Sequence, residues 1–135
     1  MIGVVIATHG EFGKTLLGTL GMILGEMEMV QSVTLAPEDS VEAFRDKMAA
    51  AVGAVDPQGH GALVLVDMLG GTPFNVAMGM TAQQKLQVVT GVNLPMLVKV
   101  ASHREETDLA ALAAEVQKAT RESIITSVEL FKGKA

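Results

Sequence analysis

Two polar side chains stand where buried strands run out. In "VVIATHGEFGK" an apolar run ends on Thr8, His9 and Gly10, and "ALVLV" (Ala62 to Val66) closes on Asp67. Imidazole and carboxylate form a chemical pair. An aspartate that accepts a hydrogen bond from one ring nitrogen fixes the tautomer and leaves the other nitrogen as a nucleophile. After Asp67 come Met68, Leu69, Gly70, Gly71, Thr72 and Pro73. Glycines let the backbone approach a ligand closely, and the amides that open the following helix suit an anion. A nucleophile, an orienting carboxylate and an anion cradle together read as a phosphohistidine site. Each part also has an ordinary reading: a solvated strand-end histidine, an aspartate that shapes a turn, a glycine-rich start to a helix.

Other chemistries find less support. "GEFGKT" (Gly10 to Thr15) looks like a nucleotide-binding phosphate loop, but that motif needs glycine five residues before Gly13-Lys14, and Thr8 stands there. No H-E-x-x-H pattern or equivalent supplies metal ligands, so neither a metal nor a cofactor is expected. The chain has no cysteine, which excludes disulfides and thiol nucleophiles. His60 in "PQGHG" and His103 in "SHREE" read as solvated residues of polar stretches. Met22 and Met68 fall near the ends of elements beside the proposed site, where exposed apolar groups suit partner docking or ordinary packing.

The elements that must position His9 and Asp67 follow from hydrophobic patterning. Strands are expected at Ile2 to Ala7, Met29 to Leu35, Ala62 to Val66, Leu86 to Thr90 and Ile124 to Leu130. Helices are expected at Glu11 to Gly25, from Val41 to near "DPQGHG", after "GGTPF", at Leu94 to Ser102 and at Asp108 to Ser123. Phe12, Leu16, Leu20 and Leu24 are four apart; Val41, Phe44, Met48 and Val52 repeat by three and four; Leu109, Leu112, Val116 and Ala119 face inward. Thr72 suits an N-cap and Pro73 the first helical position. Continuous apolar strands separated by helices predict a parallel sheet covered on both faces, a three-layer α/β sandwich. In such a sheet ligands sit beyond the carboxyl ends of the strands, where strand order reverses.

With 135 residues, 49% of them apolar, the chain fits one globular domain (1–135), with no repeat or linker. A net charge of −5 and 3% aromatic content leave no basic, ring-bearing surface for nucleic acid. The opening "MIGVVIATHG" lacks a basic leader, and no apolar run approaches a membrane span, so a cytoplasmic protein is expected.

"VVIATHG", "LVLVDMLGGTPFNVA" and "VVTGVNLPML", in that order and spacing, resemble the EIIA component of the mannose family of the bacterial phosphoenolpyruvate–sugar phosphotransferase system (PTS). The resemblance covers essentially the whole chain. It implies that His9 takes a phosphoryl group on Nε2 from the carrier protein HPr, with Asp67 bonded to the other nitrogen. The group would pass to EIIB, which phosphorylates sugar entering through the membrane components EIIC and EIID. Gly10, Gly70, Gly71 and Thr72 would bind phosphate, and Met22, Pro37, Met68 and Leu69 would serve docking. It further implies a sheet of order 2-1-3-4 and a homodimer that exchanges a C-terminal antiparallel strand, matched here by Ile124 to Leu130. Some members run on into EIIB, which is here expected to be a separate chain; some carry tryptophan where Leu69 stands. Two rival readings fit the sequence: the phosphoryl-donor subunit of a dihydroxyacetone kinase, and a module that binds an anion or partner without chemistry.

Overall fold

The computed structural model describes residues 1–133; the last two residues of the charged tail, Lys134 and Ala135, lie outside the described residues. Four parallel strands form one sheet of order β2-β1-β3-β4: β1 (Gly3–His9), β2 (Val30–Leu35), β3 (Ala62–Val66) and β4 (Leu86–Thr90). The helices are α1 (Phe12–Leu24), α2 (Val41–Val55), α3 (Thr72–Met80), α4 (Leu94–His103), α5 (Leu109–Ser123) and α6 (Ser127–Phe131).

Alternation along the central strands divides the core in two. Val5, Ala7, Val64 and Val66 face α2 and α3, packing on Phe44, Met48, Val52, Val76 and Ala77. Val4, Ile6, Leu63 and Leu65 face α1, α4 and α5, packing on Leu20, Met96, Leu97, Val100, Leu112 and Val116. Successive side chains of a strand point to opposite faces, so a strand buried on both must be apolar throughout. β3 meets this at all five positions. The result is the expected three-layer sandwich, and the order 2-1-3-4 makes β1 and β3 neighbours, with Ala7 beside Val66.

Three expectations change. First, Phe12 and Leu24 are exposed, Leu16 is half-buried and only Leu20 is buried. Each four-residue step overshoots a full helical turn by about 40°, so residues twelve apart drift to different sides. Val41, at the first turn of α2, is likewise exposed, and on α5 Thr120 is buried where Ala119 is half-buried. Second, β1 continues through Thr8 to His9. Third, Ile124 to Leu130 forms no strand. Thr126 caps α6 by accepting from the Glu129 amide at 3.2 Å, and Leu130 N donates to Thr126 O at 3.1 Å. A strand needs a second strand to satisfy its amides and carbonyls; this segment pairs with none of the four strands and closes local bonds instead. Its apolar side chains Ile124, Val128, Leu130 and Phe131 remain exposed.

The amino-terminal end of the sheet is tied by Arg104, a residue for which the sequence pattern carries no signal. Its guanidinium is buried and donates to the carbonyls of Ile2 (2.9 Å from Nε and 2.6 Å from Nη2), Glu28 (2.7 Å) and Met29 (3.0 Å). Burial lowers its pKa from the usual value. Met29 has φ +54°, the only non-glycine in the left-handed region among the described residues. Such strain persists where the surroundings over-determine the conformation, and Met29 O accepts from both Arg104 and Val4 N. Arg104→Met should cost about 3 kcal/mol, because three carbonyls lose the charged donor they share and the buried guanidinium site loses its polar partner. Urea unfolding checks this: the midpoint should fall with an unchanged slope, and an unchanged midpoint would refute the tie.

Candidate functional site

At the carboxyl edge of the sheet the chain leaves β1 and β3 on either side of the switch point. β1 turns back toward β2 through α1, whereas β3 leads on to α3 and β4. His9 is the last residue of β1, and Asp67 follows the last residue of β3. The register that pairs Ala7 with Val66 brings the two side chains together.

Oδ2 of Asp67 accepts twice from His9: from the backbone N–H at 2.9 Å and from ring Nδ1 at 2.8 Å. Oδ1 accepts from the Met68 amide at 3.0 Å. The carboxylate is 14% exposed and the imidazole 47%. A carboxylate that already accepts two amides offers Nδ1 only an acceptor, so the ring proton sits on Nδ1 and the Nε2 lone pair is left open.

The opposite wall is Gly71. A Cβ built there would stand 2.8 Å from His9 Cε1 and 3.5 Å from Nε2. The ring therefore fills the space a side chain would take. Gly70, with φ +83°, makes the left-handed turn that brings the backbone there. Gly71, not Thr72, is the N-cap of α3; Thr72 and Pro73 are its first two residues. Among the described residues the amides of Thr72 and Phe74 have no acceptor, and the Thr72 hydroxyl has no partner. Unpaired amides and the positive end of the helix dipole thus border the open nitrogen. Gly10, with φ +56°, turns the chain out of β1, and its amide donates to Leu35 O at 2.9 Å.

Gly71→Ala isolates this contact. The backbone there, φ −78° and ψ 170°, accepts any residue, and the exposed ring can swing away, so the thermal midpoint should hold. Swinging away breaks the 2.8 Å bond to Asp67, and a displacement of that size should slow phosphoryl uptake by about 10- to 100-fold. Unchanged uptake would refute the tight fit.

Of the docking candidates, Met68 (56% exposed), Leu69 (71%) and Pro37 lie on the loops after β3 and β2, at the edge that bears His9. Met22 is exposed too, but sits ten residues into α1, about 15 Å along the axis from the His9 end. His60 and His103 lie at the opposite end of the sheet. His60 is exposed before β3; His103 is half-buried, with Nε2 3.4 Å from Lys99 Nζ. Thr8, which the sequence marks only as part of the strand end, has a role of its own. It is fully buried, its Oγ1 accepts from the Gly13 amide at 2.7 Å, and the signal for it was a hydroxyl ending an apolar strand. Among the described residues no group of three or more His, Asp or Glu could hold a metal ion, and no helix is long and apolar enough to cross a membrane.

Sheet order, crossover and a polar pair astride the switch point define an open parallel α/β domain with a candidate site at the β1 and β3 ends. Comparison with known proteins refines this class. The model of the EIIA-man family, described as the PTS system fructose IIA component, matches residues 3–117. The fructose-specific EIIA component of Bacillus subtilis is 35% identical over 124 residues, covering 91% of this chain and 84% of that protein. The mannose-specific EIIAB component of Escherichia coli is 38% identical over 119 residues; the match covers 84% of this chain but 36% of that longer protein. The crystal structure of an EIIA component from Streptococcus agalactiae superposes with a TM-score of 0.84 at 30% identity, covering 93% and 97% of the two chains. A mannose/sorbose-specific IIA subunit from Enterococcus faecalis gives 0.84 at 29%, covering 93% of each. The chain belongs to the mannose family of PTS EIIA components. Such components are phosphotransfer proteins that work with HPr and EIIB in the sugar phosphotransfer cascade.

Proposed function

We propose that this chain is a cytoplasmic phosphocarrier that accepts a phosphoryl group from phospho-HPr on His9 Nε2 and passes it to EIIB. The observation that carries this reading is the double acceptance by Asp67 Oδ2, which occupies Nδ1 and leaves Nε2 open beside the start of α3. Nε2 attacks phosphorus in line, forming the new P–N bond as the donor's P–N bond breaks. The donor ring, protonated on its other nitrogen, leaves as neutral imidazole, so no proton need move. His9 becomes a phosphorylated imidazolium, and Asp67 balances its charge through Nδ1–H. The amides of Thr72 and Phe74, with the Thr72 hydroxyl, receive the phosphoryl oxygens, and Gly10, Gly70 and Gly71 keep the approach free of side chains. Transfer of this kind asks for positioning and charge stabilisation more than covalent help.

The relatives named above are sugar-system components, which favours this reading over the dihydroxyacetone kinase subunit. EIIC and EIID would take part only through EIIB. Met68, Leu69 and Pro37 border His9 and would meet HPr and EIIB, with Met22 at the margin. A second copy of the chain would complete a homodimer: the exposed Ile124 lines a groove of about 520 Å³ along the open edge of β4, and the exposed Val128, Leu130 and Phe131 follow it in the sequence.

A labelled chase tests the proposal. With phosphoenolpyruvate, enzyme I and HPr, the chain should take up one phosphoryl group and lose it when EIIB is added. Uptake without release to EIIB would favour the kinase-subunit reading, and no uptake by folded protein would favour the binding module.

A further inference from the structure

We propose that Thr8 is a positioning residue for transfer at His9, acting as the cap of α1 from inside the preceding strand. The inference rests on His9 being the phosphoryl carrier. An N-cap side chain ordinarily accepts from the second or third amide of its own helix. The residue in that place, Glu11, makes no such bond, and its φ −90° and ψ 12° are not those of an extended cap. The second amide of α1, Gly13 N, instead donates to Thr8 Oγ1 at 2.7 Å, three residues upstream of Glu11. The same hydroxyl donates to Gly10 O at 3.5 Å. Both Thr8 and Gly13 are buried, so water cannot replace the lost partner.

The contact is close as well as polar. A Cβ at Gly13 would stand 3.0 Å from Ile6 Cγ2 and 3.2 Å from Thr8 Oγ1. The strand end and the helix start are thus closed into a ring of residues 8 to 13, and His9 lies inside it. Asp67 holds His9 from the β3 side, Gly10 N–H bonds to Leu35 on the β2 side, and Thr8 holds it from α1. Without the hydroxyl, the helix start is free to shift against the strand, and the ring loses one of three supports for its position against Asp67 and Gly71.

Thr8→Val keeps the shape and removes the hydroxyl; Thr8→Ser keeps the hydroxyl and removes the methyl. Acceptance from phospho-HPr should slow by about 10- to 100-fold in Thr8→Val and stay within about threefold of wild type in Thr8→Ser. The His9 ring resonances should shift in the first variant and not in the second. Wild-type acceptance by folded Thr8→Val, or equal slowing in both variants, would overturn the proposal. Should Thr8→Val fail to fold, Gly13→Ala carries the test: it pushes the helix start off an intact hydroxyl and should slow acceptance comparably, and wild-type acceptance would overturn the proposal. Wild-type protein that accepts nothing would sink the carrier reading itself, a different result from wild type and Thr8→Val accepting equally.

Discussion

His9→Gln should accept no phosphoryl group from phospho-HPr, a loss of at least about 10³-fold in rate, with an unchanged thermal midpoint. The ring is half exposed and contributes nothing to either apolar core. Its removal takes away the proposed nucleophile and leaves the backbone bond from residue 9 to Asp67 in place. No other histidine can substitute, since His60 and His103 stand at the far end of the sheet. Filter-bound label after incubation with phosphoenolpyruvate, enzyme I and HPr is the measurement. Label on the folded variant at the wild-type rate would remove His9 from the account.

Asp67→Asn should slow uptake by about 10²- to 10⁴-fold, as expected when a ring is held in the wrong tautomer. The physical reason is a count of donors. Three N–H groups converge on this carboxylate: the His9 amide and Nδ1 on Oδ2, and the Met68 amide on Oδ1. An asparagine offers an acceptor on one side only. With its NH₂ toward His9, it donates to Nδ1, drives the ring proton onto Nε2 and removes the nucleophilic lone pair. With its NH₂ toward Met68, it opposes an amide donor and loosens the loop that carries Gly70 and Gly71. The side chain is one polar group at the edge of the sheet, so the variant should fold, and circular dichroism checks that. A wild-type rate in folded protein would mean Asp67 does not orient the ring.

The central sheet was legible because its strands leave little choice. "ALVLV" and "LQVVT" were placed to the residue, since a short apolar run closed by Asp67 or followed by a glycine has no helical reading. The pairing of His9 with Asp67 was legible in part: composition and spacing placed each at a strand end, but strand order had to come from the resemblance. Buried polar ties were missed. Arg104 bonds to carbonyls 75 to 102 residues away, and no local periodicity encodes such a partner. The cap of α3 was misplaced by one residue because Gly71 holds that position for the sake of the His9 ring beside it. The C-terminal segment carries a strand-like pattern, yet it pairs with none of the four strands and closes local helical bonds instead.

Heteronuclear NMR of the imidazole rings before and after phosphorylation tests directly whether His9 Nε2 carries the phosphoryl group. His9 alone should change, phosphorus should couple to Nε2, and Nδ1 should keep its proton toward Asp67. Phosphorus on Nδ1, or on His60 or His103, would contradict this assignment, as would an unmodified His9 in protein that has taken up one phosphoryl group.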